Sequence, residues 1–194
     1  AALRDIARKV STARAGWWAG LRRLPRSYVG MQTAHMGLVI MVLGVAFTSV
    51  YSIERDVRMA PGDSAEVDQY RFVFRGVETH KGPNYSAMRG TMDVYRGDQQ
   101  VAVMHPEKRF YFVQRNTMTE AAIDAGLFRD LYVAMGEQLD GDAWAVRLYH
   151  KPFIRWIWLG ALFMTAGGLL AASDRRYRIK VKEDKTAMAG GHTQ

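Results

Sequence analysis

One histidine, His35, stands inside a stretch that runs from Arg26 to Glu54 with no charged residue between those two. An ionisable side chain in an otherwise uncharged membrane-length run is costly to keep there, so it points to a function. Three chemistries fit an imidazole in that setting: an axial ligand to haem iron, a member of a proton relay, or a hydrogen bond across to another helix. A relay usually recruits intramembrane carboxylates, and neither this run nor the second one, Trp156 to Ser173, contains Asp or Glu. Six-coordinate haem iron needs a second axial donor, and the second run offers no histidine, with Met164 its only soft donor. Haem ligation by His35 therefore requires a ligand from outside this chain. Arg22, Arg23 and Arg26 stand on the basic side of the run, Arg26 about 13 Å from His35 along a continuous helix. Their spacing suits haem propionates, but anchoring at the membrane surface explains them equally well and is the reading adopted.

The other histidines carry less. His80, His105 and His150 show no metal-ligand spacing with one another and no acidic residue at a convincing offset, so they read as surface or turn residues. No G-x-S-x-G nucleophile elbow occurs. The chain has no cysteine, which removes disulfides, thiolate ligands and thiol nucleophiles. Trp17 and Trp18 are followed by Ala19 within a basic amphipathic stretch and read as interface anchors.

The elements that must position these residues follow from charge and hydropathy. The 194-residue chain carries a net +8, with 48% hydrophobic residues. Residues 1 to 29 carry +6, residues 52 to 150 carry −3 and residues 151 to 194 carry +5. Basicity that flanks two apolar runs is a membrane signature rather than a nucleic-acid footprint. Each run is long enough to cross a bilayer core of about 30 Å. The positive-inside rule places both termini in the cytoplasm and the central block outside. The sequence thus predicts an α-helical membrane protein with an inserted, mainly antiparallel β domain. Its parts are an amphipathic helix on the cytoplasmic face (1–26), a first transmembrane helix (27–51), a periplasmic β domain (52–150), a second transmembrane helix (151–173) and a basic, partly disordered cytoplasmic tail (174–194).

Within the first span Gly30, Gly37 and Gly44 recur every seven residues, a stripe that admits a second helix at close range. His35 lies about 160° around the helix from Gly37, so its ring faces away from that stripe. In the outer block Tyr70, Phe72 and Phe74 alternate with Arg71, Val73 and Arg75. Similar runs at Met88 to Tyr95, Val101 to Met104, Phe110 to Val113, Leu131 to Ala134 and Trp144 to Leu148 predict strands. Turn signals fall at Pro61 and Gly62, Lys81 to Asn84, Arg96 to Asp98 and Asp140 to Asp142. A short helix is expected over Thr119 to Ala125.

Six segments, in one order, carry a family resemblance. Tyr51 to Met59 (YSIERDVRM), Met118 to Asp124 (MTEAAID), Arg129 to Tyr132 (RDLY), Ala143 to Arg147 (AWAVR), Lys151 to Trp158 (KPFIRWIW) and Asp174 to Arg178 (DRRYR) together resemble the C-terminal part of the bacterial cytochrome c-type biogenesis family CcmF. The haem lyase subunits of nitrite reductase maturation are close relatives, and the likeness extends from about Ser27 to Arg178. The resemblance implies a haem lyase of the inner membrane, which takes substrate haem from a periplasmic haem chaperone and attaches its vinyl groups to the two thiols of an apocytochrome c. It also implies that a histidine in the A-H-x-G context, here Ala34, His35 and Gly37, is one axial ligand of a b-type haem. Implied partners are the membrane, the remainder of the lyase, the chaperone, the thioredox and lyase subunits that present the apocytochrome, and the apocytochrome itself.

Departures from the family pattern matter as much. Family members are far longer, with many more spans and a tryptophan-rich haem-handling domain flanked by two histidines, none of which occurs here. The second ligand of the b-haem is expected in that part. The chain is therefore expected to be a C-terminal portion, or one piece of a split protein, and not a competent lyase alone. No catalytic residue is carried over. The rival expectation is a non-enzymatic scaffold or sensor with two spans, in which His35 bonds across helices.

Overall fold

The uncharged run after Arg26 folds as one continuous helix, α1 (Arg26–Tyr51), and the second run forms α2 (Ile154–Ala172). The computed structural model describes residues 24–174. Most of the amphipathic stretch expected over 1–26, including Trp17 and Trp18, and nearly all of the tail expected over 174–194 lie outside the described residues. Both helices are long and apolar enough to cross a membrane. The described chain divides into two units, one comprising the residues up to Val42 and from Ile157, the other Leu43–Trp156.

In the first unit the glycine stripe is the seam between the helices. A Cβ placed on Gly30 would lie 2.5 Å from the backbone of Gly167 and Ala171, and one on Gly37 would lie 2.6 Å from the backbone of Gly160 and Met164. Contacts that advance along α1 while receding along α2 mean that the helices run antiparallel. Gly160 and Gly167 are buried, whereas Gly168 looks into open space. At the start of α1 the amide of Ser27 donates to the Asp174 carboxylate at 3.0 Å. That bond satisfies one of the donors left unpaired in a first helical turn, and the charge suits the helix dipole.

The second unit is a sandwich of antiparallel strands. One sheet has the order β1 (Ile53–Met59), β10 (Trp144–Pro152), β9 (Arg129–Gln138), β8 (Ala122–Ala125). The other has the order β2 (Ser64–Val67), β3 (Tyr70–Lys81), β4 (Tyr85–Arg96), β6 (Glu107–Tyr111), β7 (Asn116–Glu120), with β5 (Gln99–Met104) also on β4. Period-two alternation dictates the facing. Tyr70, Phe72 and Phe74 of β3 point inward against Leu131, Val133 and Met135 of β9 and Val146 and Leu148 of β10, all in one buried cluster. A bulge at Arg75 lets β3 change register against β4 between Phe74 and Gly76. Gly76 there has φ +123°, a conformation that disfavours side chains.

Phe72 is fully buried, so removing its ring leaves a cavity that the packed neighbours fill only partly. Phe72→Ala is expected to destabilise the sandwich by about 3–5 kcal/mol. Val103→Ala, at a half-exposed position, should stay within about 0.5 kcal/mol of the parent, and urea titrations of the two variants and the parent read the difference.

Three expectations are corrected. Thr119 to Ala125 is not helical: it supplies the end of β7 and all of β8, pairing with β6 and β9. Ala and Glu there are good helix formers, but intrinsic propensity is worth well under about 1 kcal/mol per residue, and the ladder bonds to neighbouring strands override it. The strand expected at Phe110 to Val113 ends at Tyr111, with the chain turning beyond it through Arg115 at φ 50°. Lys151 and Pro152, expected within the second span, complete β10 instead, and α2 begins at Ile154.

Candidate functional site

His35 sits on the side of α1 that α2 does not cover, and it is exposed there while Gly37 is buried. Helical geometry stacks Met31, Leu38, Val39 and Val42 on that same face at i−4, i+3, i+4 and i+7, and all four are exposed. The imidazole is therefore set in a broad apolar strip. Its Nδ1 lies 2.7 Å from the carbonyl oxygen of Met31. A carbonyl can only accept, so Nδ1 is the donor, and in the neutral imidazole Nε2 is the nitrogen with the free lone pair. That arrangement, with one ring nitrogen tied to a backbone carbonyl and the other free to ligate, is the usual way a metal-binding histidine is oriented.

The bond also bears on the other chemistries. His35 bonds within its own helix and not across to α2. Met164, the soft donor of the second run, packs at Gly37 on the opposite side of α1 from His35. Among the described residues no group of three or more His, Asp or Glu side chains converges as a metal site.

The histidines of the sandwich are not alike. His105 is exposed and its Nδ1 lies 3.4 Å from the Thr91 hydroxyl, as a surface residue should. His150, in contrast, is only 8% exposed and faces inward from β10, so its reading as a surface or turn residue is overturned. It continues the Trp144, Val146, Leu148 face by strict alternation, a signal present in the sequence. Its ring lies beside Tyr70, and its Nδ1 has no hydrogen-bond partner, with the Asp68 carboxylate 3.8 Å away. Around it Arg129 donates to the Tyr70 hydroxyl at 3.1 Å and to the Asp124 carboxylate. Asp130, 4% exposed, accepts from the Gly126 amide at 3.0 Å and from Arg155 at 3.2 Å.

Burial holds the His150 imidazole below its ordinary pKa; Asp68 opposes this and Arg129 adds to it. The folded state therefore binds fewer protons than the unfolded chain. The stability that neutral His150 contributes is complete above the unfolded value of about 6.5 and is lost as pH falls below it. Melting curves between about pH 7.5 and 5.5 should show a drop in midpoint that His150→Gln reduces; an unchanged slope in that variant would exclude His150 as its source. Glu107 is likewise held below its ordinary value, but by hydrogen bonding rather than by burial. Burial would raise its pKa, but hydrogen bonds from Arg109 at 2.7 Å and Arg89 at 2.6 Å outweigh that and pull it down.

Two open grooves cross the sandwich, one of about 570 Å³ beside Arg75, Glu78 and Trp144, and one of about 670 Å³ beside Arg58, Ala134 and Arg147. Neither gathers a nucleophile, base and orienting group.

Residues 50–152 match the model of the CcmF C-terminal β-sandwich. The chain belongs to the CcmF family. It is 53% identical over 182 residues to the cytochrome c-type biogenesis protein CcmF of Pseudomonas aeruginosa, covering 94% of this chain and 27% of that one. It is 52% identical over 161 residues to the Escherichia coli CcmF, covering 83% and 25%. Against the biogenesis protein NrfE of Haemophilus influenzae the identity is 35% over 159 residues, 82% of this chain and 25% of that one. The chain thus spans about a quarter of the length of these curated relatives. A solved structure of a cytochrome c haem lyase CcmF matches the fold with a TM-score of 0.68 at 21% identity, over 88% of this chain and 28% of that one. The CcmF sandwich and its two flanking apolar helices are therefore the architecture described here.

Proposed function

We propose that this chain forms the C-terminal portion of a cytochrome c haem lyase, with His35 as one axial ligand of a b-type haem held within the membrane. The observation that carries this reading is the His35 ring itself, with Nδ1 bonded to the Met31 carbonyl and the side chain set on an exposed apolar strip. Met31, Leu38, Val39 and Val42 offer the porphyrin plane an apolar flank. Bound there, such a haem supplies one-electron chemistry to the substrate haem. The second ligand comes from the part of the assembly that this chain does not contain. Residues 52 to 150 are taken to be periplasmic and both flanks cytoplasmic, which the distribution of −3 between +6 and +5 favours. The sandwich then contributes to the surface on which haem chaperone, apocytochrome and the presenting subunits assemble at the inner membrane.

The test is a reduced-minus-oxidised pyridine haemochrome spectrum of the chain purified alone and after co-production with the remaining segments of a family member. Haem that copurifies only in the second case is the expected result. No haem in either preparation overturns the ligand assignment and leaves a two-span scaffold as the better account.

A further inference from the structure

The turn between β8 and β9 ends in two large apolar side chains, Leu127 and Phe128, which are 57% and 58% exposed. A turn of a water-soluble sandwich would place small or polar residues there. The backbone of this turn is tied to the start of the second span. The Phe153 amide donates to the Phe128 carbonyl at 2.9 Å, and the Trp156 indole N–H donates to the Leu127 carbonyl at 3.1 Å. The rings follow suit: Phe128 packs edge-on against Phe153 at 5.8 Å and beside Trp156 at 6.2 Å, and Phe153 meets Phe47 of α1 at 4.8 Å. Trp156 is the third residue of α2, and Phe47 lies one turn before the end of α1. The depth of the turn is therefore set by the ends of the membrane spans and not by the sandwich alone.

We propose that the 126–128 turn is seated in the lipid bilayer interface, as a third membrane contact beside α1 and α2, with Leu127 and Phe128 among the acyl chains. Continuity with the apolar ends of both helices selects lipid as the occupant. The surroundings match an interface. Lys151 stands over the rings of Tyr132 and Tyr149 at 5.5 and 5.1 Å, an aromatic and basic rim of the kind found at headgroup level. The carboxylates nearest the turn are matched: Asp124 pairs with Arg129 and Asp130 with Arg155. The partly exposed apolar pair is explained by immersion, the usual meaning of a contiguous apolar patch continuous with a span.

The inference stands apart from the haem reading and is tested without haem. The chain has no cysteine, so Leu127→Cys, Phe128→Cys and Asp140→Cys each offer one labelling site. Asp140 is exposed in the turn between β9 and β10, at the opposite end of β9 from the 126–128 turn, and serves as the aqueous reference. Each spin-labelled chain is placed in phosphatidylcholine and phosphatidylglycerol nanodiscs, and relaxation by oxygen, which concentrates in lipid, is compared with relaxation by a water-soluble nickel chelate. The expected result is an oxygen-to-nickel ratio severalfold higher at positions 127 and 128 than at 140. Equal ratios at all three positions would place the turn in water and overturn the proposal. Labels at 127 and 128 shielded from both reagents would overturn it in favour of a protein cover, from a second copy or another part of the assembly.

Discussion

A His35→Ala chain, co-produced with the remaining segments of the family architecture, is expected to copurify without b-type haem, while the rest of the assembly forms normally. The reason is the position of the side chain. His35 is exposed and makes one hydrogen bond, to the carbonyl four residues back in its own helix. Alanine is the best helix former, so losing the ring changes the stability of α1 by no more than about 0.5 kcal/mol. In the proposed site the iron would lose its bond to this chain, and haem content should then fall from near one per assembled complex to background. Quantitative haemochrome spectra against protein concentration read this directly. Added imidazole should restore part of the signal to His35→Ala if the porphyrin pocket persists. His150→Gln should keep its haem, because that ring is buried inside the sandwich. Equal haem in His35→Ala and parent would reject the ligand role.

The second large effect lies across the glycine seam. A Cβ on Gly167 would stand 2.5 Å from the Ala34 amide nitrogen and the Gly30 carbonyl oxygen, and 2.9 Å from the Ala34 Cα. All three are backbone atoms, which cannot swing aside as a flexible side chain does. In a bilayer the apolar lipid competes equally for helix surfaces, so close packing is what holds α1 on α2. Gly167→Leu is expected to cost about 3 kcal/mol or more and to separate the helices. Gly168→Ala is the matched control, since nothing lies within 4 Å of its Cβ position, and alanine there should be neutral or slightly favourable. Spin labels at Met36→Cys and Leu162→Cys, both on exposed positions, report the change by pulsed electron resonance. Distances should broaden and lengthen in Gly167→Leu only; a narrow, unshifted distribution would show that the seam is not the determinant.

Much of this was legible from residue order. Two spans follow from the absence of charge over 27–53 and 156–173, because burying a charge in hydrocarbon is costly enough to leave a clean mark. The glycine stripe and the opposite facing of His35 follow from helical periodicity alone. The alternation of Tyr70, Phe72 and Phe74 with Arg71, Val73 and Arg75 marks β3, since one face is core and the other carries the arginines. The tie between the His35 ring and Met31 was beyond such patterns, because a rotamer is set by local packing and hydrogen bonding.

What only the tertiary structure decided is where pattern and environment part company. The edge strand β7 is exposed at nearly every position, so no burial period marks it, and its strand form comes from bonds to β6. β8 is decided by β9 in the same way. His150 has the period of a core residue but the chemistry of a surface one, and only its neighbours show that it is buried. The apolar pair Leu127 and Phe128 is ordinary in sequence and becomes informative once its carbonyls are found bonded to Phe153 and Trp156. Sequence determines the elements whose own side chains state their solvent, and the fold decides those whose surroundings are supplied by distant parts of the chain.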